Sequence, residues 1–331
     1  MNRIEKLLIA IMLVCGTFLG GCIDNNGEHK QINILDFPRD EGRHEGVYEA
    51  WNLGCYVTSS NGRSFFCGVV YQLSNSGDRM ARMVGVLDVI TNQSFFDFST
   101  KTSSFTYDMN KLNLSYGSTD SWYQISTDPY TYNFIGNFED EEVEFSFNFE
   151  IISNKGPTVE TSLEFMGGVI NESFLYDHTN VDVSGEFTIG NEKLDVSGVG
   201  VIDRVFGPQL VGNWHWFAVR LDNNYEIVAF KAQTLEGMKN IGWIVNPEGV
   251  VSIISDLDII VKKFTDTYWT TKWFLVSKVM NFNLTVEVIA DLIHFEILTV
   301  WEAACEVTGT WDNRSIRGTS FVEQKIRFLD N

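Results

Sequence analysis

The residues best suited to chemistry fall in three short clusters where acids and large aromatics alternate. Glu45, Tyr48, Glu49 and Trp51 form the first. Asp203-Arg204 sits inside the glycine-bounded stretch 198–207 and is followed closely by Trp214-His215-Trp216-Phe217. Val300-Trp301-Glu302 is the third. Aromatic walls with a few placed polar groups are the make-up of a small-molecule pocket. Tryptophan at alternate strand positions is equally a large core filler, and Asp203-Arg204 reads equally as a turn pair.

Other chemistries lack their motifs. The chain has no Gly-x-Ser-x-Gly elbow, no phosphate-cradling glycine loop and no His-Glu-x-x-His helix. His29, His44, His178, His215 and His294 are scattered, and the cysteines lack zinc-ligand spacing, so neither a metal nor a cofactor is expected.

The elements that must carry these clusters are strands. Val143-Glu144-Phe145-Ser146-Phe147-Asn148-Phe149-Glu150 alternates apolar and polar throughout, as do Val181-Asp182-Val183-Ser184 and Leu284-Thr285-Val286-Glu287-Val288. Ser60-Asn61-Gly62-Arg63 and Gly190-Asn191-Glu192-Lys193 are hairpin signals. Residues 255–264 are the best helix candidate, although Ile259-Ile260-Val261 suits a strand equally. Many short strands with regular turns predict an all-β sandwich or barrel.

Residues 1–21 read as a lipoprotein signal peptide. Arg3 and Lys6 precede an apolar run too short to cross a bilayer, which needs about 20 residues. Leu19-Gly20-Gly21-Cys22 then makes Cys22 the expected lipidation site, with 22–35 a polar tether. The expected location is the extracytoplasmic face of the cell membrane, held through that lipid. The net charge of −20 repels nucleic acid and anionic headgroups, so nucleic acid is excluded as a partner. Cys55 and Cys67 flank the first hairpin turn and would face each other if its register is tight. In an oxidising compartment they could then bridge, whereas a slip of one residue would part them. Cys305 is left as a buried thiol.

Taken in order, these clusters resemble one known family. Asp40-Glu41-Gly42, His44 and Glu49-Ala50-Trp51 are similar to the opening of the AttH / carotenoid 1,2-hydratase (hydroxyneurosporene synthase) lipocalin-like family, where the first strand carries Glu-Trp-Trp-Tyr. Residues 200–207 resemble its Asp-His-x-x-Gly element, and Trp214-His215-Trp216-Phe217 with Leu221-Asp222 resembles its next strand. Tyr268-Trp269-Thr270, Trp301-Glu302-Ala303-Ala304, Val307-Thr308-Gly309 and Phe321-Val322-Glu323 continue the likeness to about residue 323. Three features depart from the family: Arg204 replaces the histidine, Ala50 and Asn52 flank a single Trp51, and Lys325-Ile326-Arg327 replaces the terminal Thr-Gly-Tyr.

The resemblance implies two consecutive lipocalin-like β-barrel domains, 36–208 and 209–331, with a cavity near their junction. One implied function is binding of a small apolar, isoprenoid-like ligand by Glu49, Trp51, Arg204, Trp214, Trp216, Trp301 and Glu302. The other is a cofactor-independent hydratase or cyclase acting on an alkene. Asp203 would then be the general acid, His215 a proton partner, and the tryptophans the cation-stabilising walls. Arg204 counts against this second function if it pairs with Asp203, and ceases to if the two face opposite sides of a strand. A surface interaction protein without a cavity is the third reading.

Overall fold

Alternation with period 2 builds nearly everything in this chain. The structure, a computed structural model, describes residues 35–140, 143–160, 174–207, 212–234, 237–264, 269–289, 293–295 and 300–325. Residues 1–34, which hold the expected leader, Cys22 and all but the last residue of the expected tether, lie outside them, so the signal and lipidation expectations concern residues the structure does not describe.

Twelve strands form the first sheet: β1 (Tyr48–Ser59), β2 (Ser64–Leu73), β3 (Met80–Asp88), β4 (Gln93–Lys101), β5 (Phe105–Tyr107), β6 (Asn113–Tyr116), β7 (Asp120–Thr127), β8 (Tyr130–Glu139), β9 (Glu144–Ser153), β10 (Thr158–Glu160), β11 (Phe174–Ile189) and β12 (Glu192–Gly207). Ten more form the second: β13 (Trp214–Leu221), β14 (Glu226–Thr234), β15 (Gly237–Val245), β16 (Val251–Ile253), β17 (Asp258–Phe264), β18 (Thr270–Ser277), β19 (Phe282–Val288), β20 (Ile293–Phe295), β21 (Val300–Trp311) and β22 (Arg314–Lys325). Residues 258–264 are therefore strand β17 and not helix. Antiparallel pairing with β18 overrides the weak 3.6-residue pattern.

Both sheets share one plan. In each, the first strand pairs antiparallel with the last, β1 with β12 and β13 with β22. The hydrogen-bonded path ends on β4 and β5 in one sheet and on β16 and β17 in the other. Each sheet thus curls into a near-barrel whose seam falls between two strands consecutive in sequence. Both hairpin signals are turns, with Gly62 and Gly190 at positive φ.

Three apolar cores follow from strand parity. Inward residues of the first sheet, including Trp51, Trp122 and Phe134, fill its interior. Phe217, Trp273 and Trp301 fill the second. Outward residues of both, among them Ala50, Phe66, Val70, Trp216, Phe230 and Phe321, meet in a third core between the sheets. Gly54 marks the closeness of that contact, since a Cβ there would lie 3.2 Å from the Phe321 ring. A polar latch adds to it at one edge. Lys155 Nζ donates to Glu226 Oε2 at 2.8 Å and to Asn246 O at 2.9 Å, and Asn180 Nδ2 donates to Glu226 Oε1 at 2.8 Å.

Cys55 and Cys67 are register partners on β1 and β2, on one face inside the first core, and both are free thiols. Cys305 is also a buried free thiol.

Candidate functional site

The candidate site lies where the first and last strands of each sheet meet the other sheet. Tyr48, Ala50 and Asn52 are alternate residues of β1, so all three point outward, and Asp203 and Val205 of β12 do the same. The second sheet presents Trp214 and Trp216 of β13, Val300 and Glu302 of β21, and Glu323 and Lys325 of β22. With Val70, Gln72, Leu175 and Phe230 they line a cavity of about 90 Å³.

Register explains the pairs within it. Asn52 is the β1 partner of Asp203, and its Nδ2 donates to Asp203 Oδ2 at 2.8 Å. Asp203 Oδ1 and Asn52 Oδ1 are buried, with no hydrogen-bond partner among the described residues. The indole N–H of Trp216 is in the same condition. Asp177 stands opposite Asp203 on β11. Burial, then the charges of Asp177 and Glu323, push the Asp203 carboxyl well above the usual carboxylate range, against the Asn52 hydrogen bond.

Glu302 and Glu323 are register partners on β21 and β22. Two carboxylates directly opposite on one face repel, so at least one favours its neutral form. Burial, followed by Glu323, pushes Glu302 up to about 8. Burial also raises Glu323, but Trp214 Nε1 donates to its Oε1 at 2.6 Å and Lys325 lies near, both favouring the ionised form. Of the two, Glu302 is therefore the one held more firmly in its neutral form. Lys325 Nζ sits 4.6 Å from the Trp214 ring centroid.

The remaining residues expected at a site face elsewhere because their parity is opposite. Glu49, Trp51 and Arg204 point into the first near-barrel, behind the strands that carry the cavity. Arg204 pairs with Glu49, donates to Gly42 O at 2.8 Å and Val205 O at 2.8 Å, and lies 4.0 Å from the Trp51 ring. Arg43 Nη1 donates to Glu49 Oε1 at 2.9 Å. Burial raises Glu49, but Arg204, His44 and Arg43 together bring it below its ordinary range. Trp301 stacks on Trp269 with ring centroids 5.7 Å apart inside the second near-barrel.

His215 also points into the second near-barrel. Its Nδ1 accepts from Trp273 Nε1 at 3.3 Å, and burial, then Lys231, lowers it to about 4. It is therefore a neutral, half-buried imidazole on the opposite face from Asp203 and no proton partner of it. Of the expected residues, the fold brings together Asp203, Trp214, Trp216 and Glu302.

Sequence reasoning passed over Asn52, Tyr48, Glu323 and Lys325 as lining residues. The available signal was parity. Once Trp216 and Asp203 are outward, every second residue on their strands and on the register partners must be outward too.

Comparison with known proteins agrees with this architecture. A family model described as AttH-like matches residues 80–325. Comparison with curated proteins finds no match. Among solved structures, an AttH candidate from Nitrosomonas europaea superposes with a TM-score of 0.72 at 14% identity, over 91% of this chain and 99% of that one. Kievitone hydratase from Nectria haematococca gives a TM-score of 0.69 at 15% identity, over 87% of this chain and 90% of that one. CghA, solved with Sch210972, gives 0.54 at 11% identity over 85% and 88%. At these identities the likeness carries the fold. With the family model spanning most of the sequence and the two-sheet lipocalin-like architecture in place, the chain belongs to the AttH-like family.

Proposed function

We propose that this protein is a cofactor-independent acid catalyst that adds water to a carbon–carbon double bond of a small, largely apolar molecule in the inter-sheet cavity. The carrying observation is Asp203: buried, held in its neutral form, one oxygen without a partner, and beside aromatic walls. The objection that Arg204 would keep it ionised lapses, because Arg204 spends its charge on Glu49 on the opposite face. Kievitone hydratase, whose name records addition of water, shares the fold. We carry over its reaction class and not its substrate.

In the proposed reaction, neutral Asp203 transfers its proton to one alkene carbon, and the π pair becomes the new C–H bond. The neighbouring carbon becomes a cation facing Trp214 and Trp216, whose ring quadrupoles favour positive charge. Water bonds to that carbon and loses a proton to the Glu323 carboxylate, the member of the acid pair whose ionised form Trp214 and Lys325 favour. Proton exchange with solvent then restores both acids. The cavity is smaller than the roughly 150 Å³ apolar void that takes benzene, so it would take the reacting end of a larger molecule. In this reading Cys22 carries lipid, which holds the protein at the extracytoplasmic membrane face where apolar substrates partition.

The test is incubation of the protein with a panel of alkenes in ¹⁸O-labelled water, followed by mass spectrometry. Gain of one labelled water, lost in Asp203→Asn, supports the reading. Retention of an alkene without turnover would instead make the protein a carrier.

A further inference from the structure

Three buried polar atoms around the cavity have no protein partner among the described residues. Asp203, 8% exposed, and Trp216, 6% exposed, each present one such atom, and the third is Asn52 Oδ1. A buried polar group left unsatisfied is costly, so a site with three of them is built for a ligand that supplies counterparts. Neutral Asp203 and the Trp216 N–H are donors, whereas Asn52 Oδ1 is an acceptor. Together they match one oxygen function that accepts two hydrogen bonds and, if it is a hydroxyl, donates one.

Charge narrows the class further. The Glu302–Glu323 pair faces the same space from the second sheet, and Asp177 lies beside Asp203 on the neighbouring strand. The one lining cation, Lys325, lies over the Trp214 ring and next to Glu323. With Lys325 already engaged by Trp214 and Glu323, an anionic headgroup would be buried without a cation of its own, which is costly, whereas an uncharged one would not.

We propose that the cavity recognises an uncharged oxygen function, a hydroxyl or carbonyl close to the ligand's double bond, through Asp203, Asn52 and the Trp216 N–H, and that it rejects carboxylates. This rests on the functional reading above for the alkene but not for the oxygen. A plain hydrocarbon would leave all three groups unpaired.

The test uses four five-carbon probes of one skeleton: prenol, prenal, 3,3-dimethylacrylate and 2-methyl-2-butene. Binding to the full-length protein at pH 7 is read by ligand-observed NMR. Prenol or prenal should bind at least about tenfold more tightly than both the carboxylate and the hydrocarbon. Trp216→Phe keeps the ring and removes the donor, and should weaken prenal severalfold while leaving 2-methyl-2-butene unchanged. Near-ultraviolet circular dichroism verifies that the variant is folded. Equal binding of the hydrocarbon would overturn the proposal and assign the three atoms to water. Preference for the carboxylate, or no effect of Trp216→Phe on prenal, would also overturn it. Oxygen-selective binding without water addition would sink only the hydratase reading and leave this inference standing.

Discussion

Asp203 and Arg204 are adjacent in sequence yet serve opposite faces of β12. Asp203 faces the inter-sheet cavity against Asn52, and Arg204 faces the interior of the first near-barrel against Glu49 and Trp51. Strand pleating separates an acid from the base that would have ionised it. Two substitutions at neighbouring positions should therefore give unrelated phenotypes.

Asp203→Asn should lower water addition by about 10²–10⁴-fold, the usual range for loss of a positioned general acid. Stability should hold or rise, since an amide removes a carboxyl crowded by Asp177 and Glu323. Turnover and urea denaturation measured together check both halves. Unchanged turnover would remove Asp203 from the mechanism.

Arg204→Met should do the reverse. It strips donors from the carbonyls of Gly42, Ala50 and Val205 and takes a buried cation from Glu49. Breaking such a pair costs about 3–5 kcal/mol. A large fall in denaturation midpoint is expected, with cavity probes still bound by whatever remains folded.

Stability should decline as pH rises. Glu302 is raised in the fold to about 8 from 4.5, so its contribution is complete below about 4.5 and is lost as pH passes through 8. Asp203 and Glu323 are raised as well and act in the same direction. Below about 6.5 His215, lowered to about 4, opposes this trend, so thermal melts from pH 6.5 to 9 should show a falling midpoint, and Glu302→Gln should flatten the slope. A midpoint that rises with pH would contradict the buried, protonated assignment.

Lys155→Met should loosen the junction of the two sheets. Glu226 would keep Asn180 but lose its cation in a site where burial already raises its carboxyl. A loss of roughly 3 kcal/mol is expected. Separation of one denaturation transition into two would identify the latch as the coupling element.

Native protein should resist thiol reagents. Cys55, Cys67 and Cys305 are buried, and burial holds the thiols of Cys67 and Cys305 well above their ordinary range. Unfolding a chain of residues 23–331 without reductant should release all three. Release of a single thiol would mean that Cys55 and Cys67 are bridged.

Much of the fold was legible in the sequence because strand formation is local. The alternation in 143–150 and 284–288 declared its own faces, and the turns at Gly62 and Gly190 declared their hairpins. Residues 255–264 read two ways because a short apolar run carries no length to decide its period; pairing with β18 decided it. The types needed at the site, acids beside tryptophans, were also visible.

Which of them share a space was not legible, because parity within a strand becomes a face only when a partner strand sets the register. Trp214 and Trp216 went to the cavity, and His215 between them turned to the other face, against Trp273. Glu302 and Glu323, 21 positions apart, became one pair of facing acids only through the β21–β22 ladder. The sequence by itself determined the strands, their alternation and the supply of acids and aromatics. The tertiary structure alone decided which acid is buried and neutral, since desolvation and neighbouring charge depend on distances that close only when both sheets meet.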